Sequence, residues 1–150
     1  MRKQWTAGLF LGALFSSSVA MAELKVNDPW IAAAPPNAPA IGGFMLLQNT
    51  SDKPVSVVAV HGNVSKTIEL HRTIFSEGMA RMVPQPKLEV PANGELVLKP
   101  GDYHVMFIRP KALRVGDKVD LELELDDGSR VPLTAEVRPR PRGMKGHNHH

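Results

Sequence analysis

Two imidazoles and two thioethers stand out among the side chains of this 150-residue sequence that could do chemistry. His104 and Met106 flank Val105 in a stretch, Tyr103–Arg109, whose composition predicts a strand. Alternate side chains of a strand share a face, so these two donors project together with Cα atoms about 6.6–6.8 Å apart. His71 closes a second predicted strand, Thr67–His71, and Met82 lies on a third, Ala80–Val83. Met79, three residues before Met82, has two open readings, core packing or a reserve donor. A thioether is a neutral, soft ligand that suits Cu(I) and competes poorly for Zn²⁺ or Cu²⁺, while imidazole accepts both oxidation states of copper. Two His and two Met on neighbouring strands therefore point to a cuprous site. The pair His104 and Met106 taken alone is more readily the product of a packed core, where methionine fills gaps. His61 and Met45 read as structural, and Arg72 and Arg81 as solvated.

Other chemistries have little to stand on. With no cysteine in the sequence, thiolate zinc, iron–sulfur, blue-copper and thiol-nucleophile sites are excluded, as is a disulfide framework. No serine sits in a nucleophile elbow and no glycine-rich phosphate loop opens a helix. The adjacent Asp126 and Asp127 fall in a turn. The expected molecule is not an enzyme.

The elements that must position the donors are short and β-rich. The 13 prolines and 12 glycines fall mostly between short apolar runs, which predicts strands at 24–26, 30–33, 43–49, 55–61, 67–71, 80–83, 88–90, 95–98, 103–109, 118–125 and 131–137. The clearest, 119–125, is apolar at odd positions and acidic at even ones, with one face in a core and one in water. Asp126-Asp127-Gly128-Ser129 then turns the chain into 131–137 as a hairpin. Closely spaced short strands of this kind predict a single all-β domain, a Greek-key β-sandwich or small barrel.

Charge and hydropathy divide the chain further. Met1-Arg2-Lys3 precedes an apolar run, Trp5–Phe15, and small residues at Ala20 and Ala22, the pattern of a secretory signal cleaved after Ala22. That run falls short of the roughly 20 apolar residues that span a bilayer. The expected domains are a signal peptide at 1–22, a β-sandwich at 23–137 and a flexible tail at 138–150. The formal net charge of +3 originates in the ends: Arg138, Arg140, Arg142 and Lys145 lie in a tail without acids, and the body has an acidic excess. No nucleic-acid-binding face follows from such a distribution. Met144, His147, His149 and His150 form a short His-rich terminus whose imidazoles suit Cu(II), or a merely solubilising extension.

The four donors have the spacing H-x10-M-x21-H-x-M, which resembles that of the periplasmic copper chaperone family PCu(A)C. The resemblance extends through Asp28-Pro29-Trp30, Gly43-Phe44-Met45-Leu46 with Asn49, Ile68-Glu69-Leu70-His71, Leu88–Gly94 and Leu98–His104. It implies a cupredoxin-like β-sandwich lacking the cupredoxin cysteine, a periplasmic location, and one Cu(I) held by His71, Met82, His104 and Met106. Its implied role is delivery of copper to the CuA centre of cytochrome c oxidase, directly or with a Sco-type thiol protein. From the sequence itself, the expected mature chain is a monomer in which no segment is long and apolar enough to span a membrane. One departure is Arg72, where many members carry Met immediately after the first His; that change bears on packing around the site. Two other functions compete with delivery: copper sequestration for resistance, and a structural sandwich whose Met and His are incidental.

Overall fold

The computed structural model describes residues 23–141, with Gln4, Gly8 and residues 12–14 in addition. Its described elements are ten strands: β1 Leu24–Ala32, β2 Ala40–Asn49, β3 Val55–Gly62, β4 Thr67–Ser76, β5 Met79–Pro84, β6 Leu88–Val90, β7 Glu95–Leu98, β8 Tyr103–Ile108, β9 Lys118–Leu125 and β10 Arg130–Arg138. The all-β expectation is borne out. Apart from Gln4, Gly8 and residues 12–14, the predicted signal peptide lies outside the described residues, as do the tail residues Met144, His147, His149 and His150.

Hydrogen bonds connect the strands in the order β5-β4-β8-β2-β1-β10-β9-β3-β6, and β7 shares an edge of β2 with β8. The two ends of this path face one another: β3 packs on β4, and β6 on β2 and β7. The sheet is thus folded back into a sandwich, with β1 bridging its layers through an antiparallel pairing to β2 and a parallel pairing to β10. The β9–β10 hairpin forms as its alternation predicts. Val119, Leu121, Leu123 and Leu125 are buried in the same core as Leu70, Val105 and Phe107 of β4 and β8, and the turn closes on Gly128 at φ 83°.

Burial of apolar side chains from both layers drives this closure, each contributing roughly 1.5–3 kcal/mol when fully removed from water. A buried polar knot sits at one end. Asn49 donates through Nδ2 to the carbonyls of Lys53, Val90 and Pro91, and its Oδ1 accepts from Ser51. The amide thereby satisfies its own hydrogen bonds while joining β2 to β6.

Three expectations are corrected. The predicted strands 24–26 and 30–33 are one strand, β1, interrupted by a bulge between Asn27 and Trp30. Strand β4 does not end at His71 but continues to Ser76, and Glu77 and Gly78, at φ 51° and 76°, turn it directly into β5. Both turn residues have the positive φ of a two-residue hairpin loop, whose twist matches that of the strands it joins. Finally, Arg138 belongs to β10 rather than to the tail: it pairs with Ala32 and its guanidinium donates to Asp28 at 2.7 Å.

Candidate metal centre

The candidate donors occupy three adjacent strands. Antiparallel pairing of β4 with β8 sets His71 directly opposite His104 and Glu69 opposite Met106. Pairing of β4 with β5 sets Met82 opposite Thr73, two residues beyond His71. Side chains at cross-strand partners and at alternate positions share a face, so the register puts His71, Met82, His104 and Met106 on one face. It is the outer face: the intervening Leu70, Val105 and Phe107 point into the core. Met79 pairs with Ser76, an odd number of residues from Thr73, which places it on the opposite face of the hairpin, strongly exposed. Core packing for Met79 is thereby corrected, since the β4–β5 tip extends past the core. Arg72 likewise points away from the donors and stacks over the Tyr103 ring at 4.8 Å, so the departure at this position leaves the donor face unaltered.

Although on the outer face, three of the four side chains are shielded, with His71 at 8%, His104 at 3% and Met106 at 7% exposure, whereas Met82 is 58% exposed. The two imidazole rings are 5.7 Å apart between centroids. Each ring is fixed from behind. His104 Nδ1–H donates to the Asp102 carbonyl at 2.9 Å, and His71 Nε2–H donates to the Glu69 carboxylate at 2.6 Å. These partners assign the lone pairs to His104 Nε2 and His71 Nδ1, which are buried and have no hydrogen-bond partner. Unpaired buried nitrogens of this kind cost free energy unless something coordinates them. Burial pulls His104 below the ordinary histidine pKa; its backbone hydrogen bond to Asp102 opposes this, and the electrostatic effect of the neighbouring His71 adds to it. The ring is therefore kept neutral and able to donate its lone pair.

A cavity of about 290 Å³ opens beside these groups, lined by Met82, His104 and Met106 together with Trp30 and Phe44. Arg140 and Pro141, assigned to the tail from the sequence, reach its rim. Gly42 makes room for the aromatic wall, since a Cβ there would stand 2.7 Å from Phe44 Cζ. Among the described residues no three His, Cys, Asp or Glu side chains converge to hold an ion. A site here depends on the thioethers, and hence on a soft ion. With metal–nitrogen bonds of ~2.0 Å, each ring centroid would be roughly 3 Å from a shared ion, so centroids separated by 5.7 Å can flank one.

Glu69 was not a sequence candidate. Its position two residues before His71, on the same strand face, was the available signal. His61, read as structural, pairs with Glu124 at 2.6 Å, remote from the donors.

The sequence matches the LpqE-like lipoprotein family over residues 24–137. The chain belongs to this family. The PCu(A)C resemblance is borne out by structural similarity as well. A Cu(I) solution structure of DR1885 from Deinococcus radiodurans is 32% identical, with 82% of this chain and 84% of that one covered and a TM-score of 0.65. The copper-bound PCuAC domain from PmoF2 has the same fold at 19% identity and a TM-score of 0.67, covering 78% of this chain and 93% of its own. Lxx21020 of Leifsonia xyli subsp. xyli, named as a lipoprotein, is 29% identical over 117 residues, 77% of this chain and 69% of its own length. The LpqE-like chain described here is accordingly an all-β, cupredoxin-like domain, and no helix among its described residues is long and apolar enough to cross a membrane.

Proposed function

We propose that this protein is an exported copper chaperone that carries one Cu(I) on His71, Met82, His104 and Met106. The observation that carries the reading is the pair of buried, unpartnered nitrogens, His71 Nδ1 and His104 Nε2, at paired positions of adjacent strands. Each is oriented by a hydrogen bond on the other side of its ring, as ligating histidines characteristically are. The two thioethers on the same face select the cuprous ion. The copper bound by DR1885 and by the PmoF2 domain in their structures supports the same cargo.

Uneven exposure favours delivery over sequestration. Three donors are shielded and Met82 is exposed, so a partner's sulfur can replace Met82 while the histidines still hold the ion, and transfer proceeds by stepwise ligand exchange without release of free copper. The recipient we assign is the CuA centre of cytochrome c oxidase in the periplasm, reached directly or through a Sco-type thiol protein. The tail imidazoles His147, His149 and His150, with Met144, take up Cu(II). Anaerobic titration against a chromophoric Cu(I) chelator should give one tightly held ion per chain, and X-ray absorption should show both sulfur and nitrogen scatterers. A shell of nitrogen and oxygen alone would refute the site. Failure of the Cu(I) protein to populate an apo CuA domain would favour sequestration.

A further inference from the structure

Trp30 has no role in the copper site as proposed, yet its placement is unusual. The first half of β1 turns Leu24 and Val26 toward the core, and an unbroken strand would turn Trp30, at another even position, the same way. The bulge reverses the alternation: beyond it Ile31 is fully buried, and Trp30 pairs with Phe44 on the outer face. At the bulge Asp28 has φ 48°, a left-handed conformation that is strained for a residue with a Cβ, and the Arg138 guanidinium holds it there. Bulges commonly re-aim a side chain beside a functional site. Here the side chain is directed at the metal face. The Trp30 ring packs 4.7 Å from Phe44, whose ring lies 6.3 Å from that of His104, and Trp30 bounds the same cavity as Met82, His104 and Met106.

We propose that Trp30 is the specificity-determining residue for oxidation state, an apolar wall that keeps water from the ion and so holds copper as Cu(I). This rests on the Cu(I) site proposed above. Cu(II) prefers tetragonal nitrogen and oxygen coordination, which this donor set completes only with water. The cavity has room for several molecules at about 30 Å³ each, but Trp30 and Phe44 give them little to bond with. The hydrophobic shell around a metal controls solvent access and redox potential. Oxidation by air transfers one electron from Cu(I) to dioxygen, forming Cu(II) and superoxide, and the Cu(II) product is favoured once water can reach it.

The test compares full-length wild type, W30A and W30F, loaded anaerobically with one equivalent of Cu(I) and then exposed to air, with Cu(II) followed by electron paramagnetic resonance. W30A should oxidise about tenfold faster or more and show a lower Cu(II)/Cu(I) potential, and W30F should behave like wild type. Cu(I) should also quench a component of tryptophan fluorescence present in wild type and missing in W30F. Circular dichroism of apo W30A should remain that of the wild type, since Trp30 lies outside the core. Wild-type oxidation rate and potential in W30A, with Cu(I) still bound one to one, would overturn the wall while leaving the copper site intact. Failure of the wild type itself to bind Cu(I) would overturn both.

Discussion

Removing the carboxylate behind His71 tests the site without touching a donor. Glu69 Oε2 accepts from His71 Nε2 at 2.6 Å, and that contact assigns the lone pair to Nδ1. In Glu69→Ala the ring is free to rotate and to exchange tautomers, so part of the copper binding energy is spent restoring the productive state. Loss of such an outer hydrogen bond typically weakens metal binding 10- to 100-fold, equivalent to about 1.4–2.8 kcal/mol. The Glu69 side chain is 43% exposed, and substitutions at such positions usually change stability by no more than about 0.5 kcal/mol. The apo variant should therefore melt close to wild type while its Cu(I) dissociation constant rises at least tenfold in anaerobic chelator competition. Glu69→Gln keeps an acceptor oxygen and should fall between the two. An alanine variant binding within threefold of wild type would refute the claim that Glu69 sets the His71 tautomer. An alanine variant that loses affinity together with its fold would refute the separation of site from core.

The remaining tests probe protonation, sulfur, mass action and the tail. His104 is held below its ordinary pKa by burial, so the unfolded chain binds more protons as pH falls below about 6.5. Its contribution to stability is full above that value and is lost as pH drops toward the lowered folded pKa. Apo wild type should thus lose more Tm between pH 7.5 and 5 than His104→Leu, and parallel profiles would contradict this. Met106→Leu should cost under about 1.5 kcal/mol in the apo protein as a volume-conserving swap, and Met82→Leu almost nothing at its exposed position. Each should remove one sulfur scatterer from the Cu(I) X-ray absorption spectrum. Free Cu(I) at 100 times its dissociation constant should stabilise the fold by about 2.7 kcal/mol, raising Tm on the order of 10 °C; coincident apo and loaded melting curves would mean no specific site. Truncation after Pro141 spares β10 and the cavity rim and should abolish Cu(II) uptake by the tail while leaving the Cu(I) stoichiometry at one; unchanged Cu(II) stoichiometry would eliminate the tail site.

The strand pattern was legible wherever alternation and turn residues agreed, as in β9 and β10 with Gly128 between them. It failed where two rules conflicted. Asp28-Pro29 reads as a chain break because proline and a left-handed residue interrupt a regular strand; the structure instead keeps pairing through a bulge. Strand β4 runs past His71 because a two-residue turn at Glu77-Gly78 supplies a partner strand, although Ile74 and Phe75 break the alternation that would have marked it. His104 and Met106 were visible as a pair on one face because a single strand carries both. Glu69 was not, since an acid at an alternate position looks the same whether it faces solvent or orients an imidazole. Arg138 looked like tail because its cation belongs to a basic run, yet its role is set by a partner 110 residues earlier in the chain.

Strand β8 has one further consequence, for failure. Val105 and Phe107 hold the two layers together, and His104 and Met106 sit before and between them on the same six-residue strand. A slip of one residue in its pairing would turn imidazole and thioether inward and present valine and phenylalanine to solvent. A molecule assembled with that error would be both unstable and unable to hold copper, so a cell's quality control, which detects exposed hydrophobic surface, would also remove the copies unfit to carry the ion.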